Sequence, residues 1–299
     1  MATQQSPVSL PFSSVVCNLP LHARRWSPPA GTLTLACCVF IHGYGGHSGL
    51  FDAFFAKLCA AGIAVRAYDC VGSGRSPPHP TRGRWNCERF GDLVEDAAAF
   101  VRLAVADEAP LPVFVLGFSL GGLVAAHALV AGSLRDTRVA GLILSSAAID
   151  IRKTRAQAVL ACFGALLSAF FPDSLVVPTQ SPSLLSRDPC VGQRYIADPL
   201  TRKGKGKARM ANETLRAFAW LHARRSLLRL PILAHHGTCD AFTDVGAVQA
   251  LLDGCGSSDA RLVRYEGAYH DLTQESCAPE VTATTIEWVL SRSAQQPTK

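Results

Sequence analysis

A serine, an aspartate and a histidine follow one another as Ser119, Asp240 and His270, each just past the end of an apolar run. Ser119 lies in Gly117-Phe118-Ser119-Leu120-Gly121, between the run Pro112–Leu116 and a helix-like Leu123-Val124-Ala125-Ala126-His127-Ala128-Leu129. Strand, sharp turn and helix in that order hold a serine in a strained turn, its hydroxyl clear of the sheet. The following helix N-terminus favours negative charge developing there. Gly117 and Gly121 lack the β-carbons that would clash where strand and helix close on each other. A serine hydroxyl is a poor nucleophile at its own pKa, so it needs a base and a group that orients the base. Asp240 ends Pro231-Ile232-Leu233-Ala234-His235-His236-Gly237-Thr238-Cys239-Asp240, and His270 ends Arg264-Tyr265-Glu266-Gly267-Ala268-Tyr269-His270. His270 would take the Ser119 proton and return it to the leaving alcohol, while Asp240 fixes the imidazole tautomer. A tetrahedral oxyanion needs two backbone N–H donors. Leu120, directly after the serine, supplies one; the loop His42-Gly43-Tyr44 supplies the other, expected at Tyr44.

Other polar residues compete for these roles. Asp244 is a rival acid, but it precedes a helical segment and suits an N-cap. Asp271 adjoins His270, which is poor geometry for the Nδ1 contact, and Asp150 ends a different strand. His42 reads as structural and Asp69 as a loop-bracing carboxylate. Cys239 adjoins Asp240, so oxidation there could disturb the triad, although a silent thiol is the simpler expectation. Gly43-Tyr44-Gly45-Gly46 and Gly72-Ser73-Gly74 fit neither glycine-rich phosphate-binding pattern, which argues against nucleotide binding.

The elements that must position these groups alternate regularly. Residues 13–26 suggest a hairpin closed by Trp26-Ser27-Pro28-Pro29-Ala30-Gly31. Thr32–Ile41, Ile63–Tyr68, Val113–Phe118, Val139–Ser145, Pro231–His236 and Ala260–Tyr265 read as strands, several of them near-continuously apolar. Such runs suit strands buried on both faces of a parallel sheet. Helical patterns fall at residues 50–61, stopping at Gly62, at Glu88–Ala106, near Asp244–Leu252 and at Pro279–Ser291. Strands alternating with helices predict an α/β fold with a doubly wound, mostly parallel sheet. Its C-terminal edge would gather Ser119, Asp240 and His270. The alternation fails between about Asp150 and Leu215. The expected organisation is therefore a core in two parts, residues 1–149 and 216–299, with a mainly helical cap inserted at residues 150–215. Within the cap, Ala156–Phe171 has only Gln157 and Ser168 as clearly polar residues, too short a run to span a bilayer. It is expected to pack over the Ser119 turn, with Phe170 and Phe171 on a hydrophobic rim that admits an acyl chain and touches a membrane or lipid-droplet surface.

The 299 residues are 48% hydrophobic and 17% charged, enough apolar material for a substantial core. The net charge of +6 is mostly scattered; its densest group, Arg202-Lys203-Gly204-Lys205-Gly206-Lys207-Ala208-Arg209, contains no aromatic residue. That reads as an exposed loop drawn to anionic lipid rather than a nucleic-acid site. The 11 cysteines have neither paired nor metal-type spacing, so reduced thiols in a cytoplasmic setting are expected, with no metal and no cofactor. The N-terminus lacks a signal-peptide pattern and is only faintly like a transit peptide.

Taken together, His42-Gly43-Tyr44-Gly45-Gly46-His47-Ser48, Tyr68-Asp69-x-x-Gly72-x-Gly74-x-Ser76, Gly117-x-Ser119-x-Gly121-Gly122, His236-Gly237-Thr238-x-Asp240 and Glu266-Gly267-Ala268-Tyr269-His270 resemble the monoacylglycerol lipase group of α/β-hydrolases, also called the serine aminopeptidase S33 or Hydrolase_4 group. Ser186-Arg187-Asp188-Pro189 and Asp198-Pro199-Leu200 resemble, more weakly, the cap of plant-type members. The resemblance implies an α/β-hydrolase fold and a serine hydrolase acting on monoacylglycerols without metal or cofactor. It places the triad on Ser119, Asp240 and His270 and the oxyanion donors on Tyr44 and Leu120. Phe118 stands where the family often has histidine, and Leu120 where it often has methionine. The first exchange leaves substrate preference open among monoacylglycerols, lysophospholipids and phenolic esters such as caffeoylshikimate. An acyltransferase or a non-catalytic hydrolase-like binding protein remains a further alternative.

Overall fold

The computed structural model describes residues 6–134, 137–151 and 163–294. Its strands are β1 (Val8–Leu10), β2 (Ala23–Trp26), β3 (Ala36–Ile41), β4 (Ile63–Tyr68), β5 (Val113–Phe118), β6 (Val139–Ser145), β7 (Leu175–Val177), β8 (Gly206–Lys207), β9 (Ile232–Gly237) and β10 (Ala260–Tyr265). Eight of them form one sheet in the order β1-β2-β4-β3-β5-β6-β9-β10, while β7 and β8 pair separately. Only the β1–β2 and β2–β4 pairs in the large sheet are antiparallel. All the other pairings, from β4–β3 to β9–β10, are parallel.

The apolar runs become strands buried on both faces because their side chains alternate between two cores. On one face, Cys37, Val39, Ile41, Val113, Val115 and Leu144 pack in the same cluster as Phe100, Leu123 and Val124. The first three helices are α1 (Asp52–Ala60), α2 (Phe90–Asp107) and α3 (Leu120–Val130); Phe100 comes from α2, Leu123 and Val124 from α3. On the opposite face, Cys38, Phe40, Phe114 and Leu116 pack with Phe55 and Leu58 of α1. Alternation of period two along each strand thus serves two helical layers at once.

Several boundaries shift from their sequence-based positions. The N-terminal hairpin begins earlier, since Val8 pairs with Arg25. The third strand starts at Ala36 rather than Thr32, because Leu33 and Leu35 lie exposed on an approach to the sheet edge. Gly62 does stop α1: its φ of +83° is open to glycine, and a β-carbon there would meet the Leu33 carbonyl at 2.7 Å.

Between β6 and β9 the chain leaves the sheet. Its described part contains α4 (Gly164–Phe170), the β7–β8 ribbon, α5 (Pro189–Ala197) and α6 (Ala208–Arg224). Helix α5 starts as its sequence dictates: Asp188 accepts a hydrogen bond from the Cys190 N–H, and Pro189 fills the first turn. Helix α6 is continuous through residue 215. Of the apolar run Ala156–Phe171, residues 156–162 lie outside the described part. The remaining helix, α7 (Val245–Asp253), follows β9, and α8 (Ala278–Ser293) closes the chain and packs Trp288 and Val289 into the second core.

The basic stretch from Arg202 to Arg209 is not simply an exposed loop. Only Lys203, Gly204 and Lys205 are exposed, whereas Arg202 is 7% accessible. Lys207 donates to the Arg82 carbonyl at 2.8 Å, and Arg209 lies 3.7 Å from the Glu88 carboxylate. These cations turn inward because partners await them there. Among the described residues, no helix is long and apolar enough to cross a membrane, and every cysteine is a free thiol.

Candidate active site

Parallel register brings the strand ends together. Ile41 pairs with Gly117, Phe118 with Ser145, and Gly237 with Tyr265. The loops after β3, β5, β9 and β10 therefore leave the sheet along one edge, which is where parallel sheets bind ligands.

Ser119 sits between β5 and α3 at φ 54°, ψ −121°, a left-handed conformation that a non-glycine residue holds only when its surroundings impose it. They do so here. The Ser119 N–H donates to the Ser145 carbonyl at 3.0 Å, and the Ser119 carbonyl accepts from Ala148 at 2.9 Å. A β-carbon at Gly117 would collide with Gly121 and Gly122, and one at Gly121 with the Ile41 carbonyl.

Asp240 and His270 meet through a 2.8 Å hydrogen bond from the imidazole Nδ1–H to the carboxylate Oδ2. Both are buried, at 4% and 3% accessibility. The Thr243 hydroxyl donates to the same oxygen at 2.7 Å. The other carboxylate oxygen accepts from the Phe242 N–H at 2.7 Å and the Thr243 N–H at 3.1 Å. Burial disfavours the charge on Asp240, but the facing His270 and these donors outweigh it and hold its pKa down at about 2. The imidazole is flanked by two aromatic rings: Phe242 stacks on it at 4.6 Å between centroids, and Phe118 leans on it at 5.0 Å. The Ser146 hydroxyl donates to the His270 carbonyl at 2.6 Å. With the imidazole tautomer fixed this way, its Nε2 is left to accept a proton.

The rival acids are engaged elsewhere. Asp244 accepts from the Gly246 N–H at 2.9 Å as the cap of α7. Asp271 accepts from the Thr273 hydroxyl and the Gln274 amide. Asp150 accepts from the Ile151 N–H.

On the other side of Ser119, the β3 loop makes a tight turn in which the Gly46 N–H donates to the Gly43 carbonyl at 3.3 Å. Gly45 has φ +76°, and a β-carbon at Gly43 would stand 2.9 Å from that of Ser119. Tyr44 and Leu120 both border the cavity with Ser119. Leu120 is the first residue of α3, where an N–H has no acceptor within its own helix. His42 lies beneath the turn, its Nε2 accepting from the Cys70 N–H at 2.9 Å and its Nδ1–H donating to the Gly43 carbonyl at 2.8 Å. Asp69 accepts from the Ser48 hydroxyl and N–H and from the Arg75 N–H.

A cavity of about 560 Å³ opens over Ser119 and His270. Leu120, Ile151, Leu167, Met210, Leu215 and Phe218 give it apolar walls, and Arg194, Tyr195, Asp198, Arg202 and Gln274 give it a polar section. Phe170 and Phe171, expected at this rim, do not border it; they are 72% and 62% accessible. Helix α4 directs Gly164 and Leu167 to the cavity. Phe163, Leu166 and Phe170 recur on its outer face. Phe171 caps the helix at φ −133°, ψ 54° and no longer follows its periodicity.

Sequence reasoning missed Thr243, Ser146, Phe242 and Tyr195. Thr243, three residues after Asp240, has a spacing that signals a carboxylate-closed turn. Phe242, two residues after Asp240, belongs to the same turn; Ser146 and Tyr195 are brought in by contacts that no local pattern carries.

Residues 34–277 match the family described as "Serine aminopeptidase, S33", Hydrolase_4. The chain is 30% identical to a monoglyceride lipase of Homo sapiens over 308 residues, covering 98% of this chain and 97% of that protein. It is also 30% identical to a monoacylglycerol lipase of Mycolicibacterium smegmatis over 270 residues, 89% of this chain and 91% of that one. A crystal structure of a soluble variant of monoglyceride lipase from Saccharomyces cerevisiae, in complex with a substrate analog, superposes with a TM-score of 0.86 at 19% identity, covering 98% of this chain and 97% of the other.

Proposed function

Since this chain belongs to the Hydrolase_4 (serine aminopeptidase, S33) family and is a carboxylic ester hydrolase of α/β-hydrolase fold, we propose that it cleaves monoacylglycerols to glycerol and fatty acid. The observation that carries this reading is the apolar cavity that ends on Ser119 beside the His270–Asp240 pair. In this mechanism His270 Nε2 removes the Ser119 proton as the hydroxyl attacks the ester carbonyl. The Tyr44 and Leu120 N–H groups receive the oxyanion. Collapse expels the glycerol alkoxide, which takes the proton from the imidazolium, and Ser119 keeps the acyl group. Water, deprotonated by His270, then releases the fatty acid. Asp240 stabilises the imidazolium in both halves.

Residues 150–215 act as a cap over this site, with Leu167, Met210 and Leu215 against the acyl chain. The outward Phe163, Leu166, Phe170 and Phe171 form an apolar surface on α4 and its cap, which suits reversible contact with a lipid surface where such substrates reside. Free thiols throughout the core suit the cytoplasm.

The test is parallel turnover of a long-chain monoacylglycerol, a lysophosphatidylcholine and caffeoylshikimate, with Ser119→Ala as blank. Preferential, Ser119-dependent release of glycerol is expected. Preference for either other ester would overturn the substrate assignment, and undiminished turnover by Ser119→Ala would overturn the mechanism.

A further inference from the structure

The turn that carries Tyr44 is held from outside the sheet domain. Tyr195, on α5 of the inserted segment, donates its hydroxyl to the Gly45 carbonyl at 2.9 Å. The Arg202 N–H donates to the same carbonyl at 2.8 Å. The Arg202 guanidinium lies over the Tyr44 ring, 5.3 Å from its centroid. Two residues further along the turn, His47 Nε2–H donates to Asp198 at 2.9 Å, while its Nδ1 accepts from Gly49. The approach is close enough to demand glycine: a β-carbon at Gly45 would stand 2.8 Å from the Tyr195 hydroxyl and 3.0 Å from the Arg202 β-carbon. Within the segment, the Thr201 hydroxyl donates to the Tyr195 carbonyl at 2.6 Å, so Tyr195, Asp198 and Arg202 form one braced unit.

This clustering is selective. Three of the four residues from Tyr44 to His47, namely Tyr44, Gly45 and His47, each take a partner from residues 195–202. From the sheet side the same turn is held by its own Gly46–Gly43 bond, by His42 beneath it and by the Tyr44 hydroxyl, which donates to the Trp85 carbonyl at 3.2 Å. A backbone donor stabilises an oxyanion only if it is aimed before charge develops, since reorientation during reaction would cost what the interaction gains. A four-residue turn with three glycines is intrinsically loose, and its carbonyl at Gly45 is pinned by two donors that both belong to the inserted segment.

We propose that Tyr195, Arg202 and Asp198 are positioning residues for the oxyanion site, so that the inserted segment completes the catalytic turn as well as walling the cavity. The proposal rests on the reading of Tyr44 as an oxyanion donor. It makes correct seating of the segment a condition for turnover, and it assigns the polar section of the cavity wall a role separate from substrate contact.

The experiment compares Tyr195→Phe with the parent protein in steady-state kinetics on a soluble short-chain ester and in inhibition by a trifluoromethyl ketone, whose hemiketal oxygen occupies the oxyanion site. Tyr195→Phe keeps the ring and removes one of the two donors to Gly45. The expected result is a fall in kcat of about fivefold, the scale of one hydrogen bond, with KM unchanged. Trifluoromethyl ketone inhibition should weaken by the same factor, and binding of the product fatty acid should be unaffected. His47→Ala, a second variant that removes the bond to Asp198 at the other end of the turn, should show the same pattern. A kcat within twofold of the parent in both variants would overturn the proposal, as would a loss confined to KM with undiminished ketone inhibition. Ser119→Ala, measured alongside, separates the two levels: activity surviving in it sinks the catalytic reading itself. An inert Ser119→Ala with unaffected Tyr195→Phe sinks only the positioning role.

Discussion

The sheet edge and the inserted segment meet at one cavity, yet they are built by opposite rules. At the edge, Asp240 accepts four hydrogen bonds at 2.7–3.1 Å and is almost wholly buried. In the segment, helix α4 leaves Phe163, Leu166 and Phe170 at 55%, 59% and 72% accessibility, and ion pairs such as Lys207–Asp173 lie half in solvent at 3.7 Å. The edge requires particular atoms at particular positions, so register and turn geometry leave little choice of residue. The wall requires only apolar volume, which many sequences supply. Substitutions should therefore act on chemistry at the edge and on substrate access or lipid contact in the segment.

The sharpest form of that contrast is Asp240→Asn. The side chain keeps its size, but the amide can no longer select the imidazole tautomer that leaves Nε2 free. We expect kcat to fall by roughly 10³–10⁴-fold, the scale seen for loss of the orienting acid in serine triads, with the folded state retained by circular dichroism. A conservative substitution on the inserted segment's apolar wall, Leu167→Met, should by comparison change kcat less than threefold. Similar losses at the two places would erase the distinction.

The same contrast explains what could be read from the sequence. The placement of Ser119, Asp240 and His270 at one edge was legible because each follows a strand, and parallel pairing leaves one edge for all three. The helix limit at Gly62 was legible because capping is local. Phe170 and Phe171 were misplaced because a helix with apolar residues on nearly every side does not declare which of them turn inward. In the structure Leu167 turns to the cavity that Leu215 and Phe218 also line. The basic stretch at Arg202 looked solvent-exposed for a similar reason: its partners, Gly45 and Tyr44, lie more than a hundred residues earlier.

The core should also differ from the segment in its response to acid. His127 and His235 are buried among apolar groups, and desolvation lowers their pKa values to about 4 and about 3. His127 Nε2–H donates to the Ala217 carbonyl at 2.9 Å. His235 is held between the Tyr265 and Thr285 hydroxyls. The unfolded chain binds protons at these positions near pH 6.5, and the folded chain does so only near 4 and 3. Stability is therefore complete above about pH 6.5 and declines as pH falls towards those values. Each histidine should remove about 1–2 kcal/mol between pH 7 and pH 5. Urea titrations at the two values should show the loss, and His127→Gln should flatten the slope whatever its effect on stability at pH 7. Asp240, with its pKa near 2, adds nothing in that window, because its contribution disappears only below about pH 4. A slope unchanged in His127→Gln would show that the drop arises elsewhere.

The smallest expected effect lies on the outer face of α4, and it separates the segment's two surfaces. Phe163→Ser combined with Phe170→Ser and Phe171→Ser removes three exposed rings without touching a residue that borders the cavity. Turnover of a dispersed short-chain ester should stay within twofold, since neither the proposed catalytic residues nor the wall changes. Turnover of a long-chain monoacylglycerol presented in vesicles should fall about fivefold, because a partial loss of interfacial burial at three rings, each worth at most about 1.5–3 kcal/mol when fully buried, weakens the protein's residence on the lipid. Vesicle sedimentation should report the same loss directly. Equal decreases on both substrates would mean that α4 acts through the cavity after all. An unchanged rate on vesicles would leave the outward rings without a part in substrate capture, and the apolar wall at Leu167 as the only face of this helix that serves the reaction.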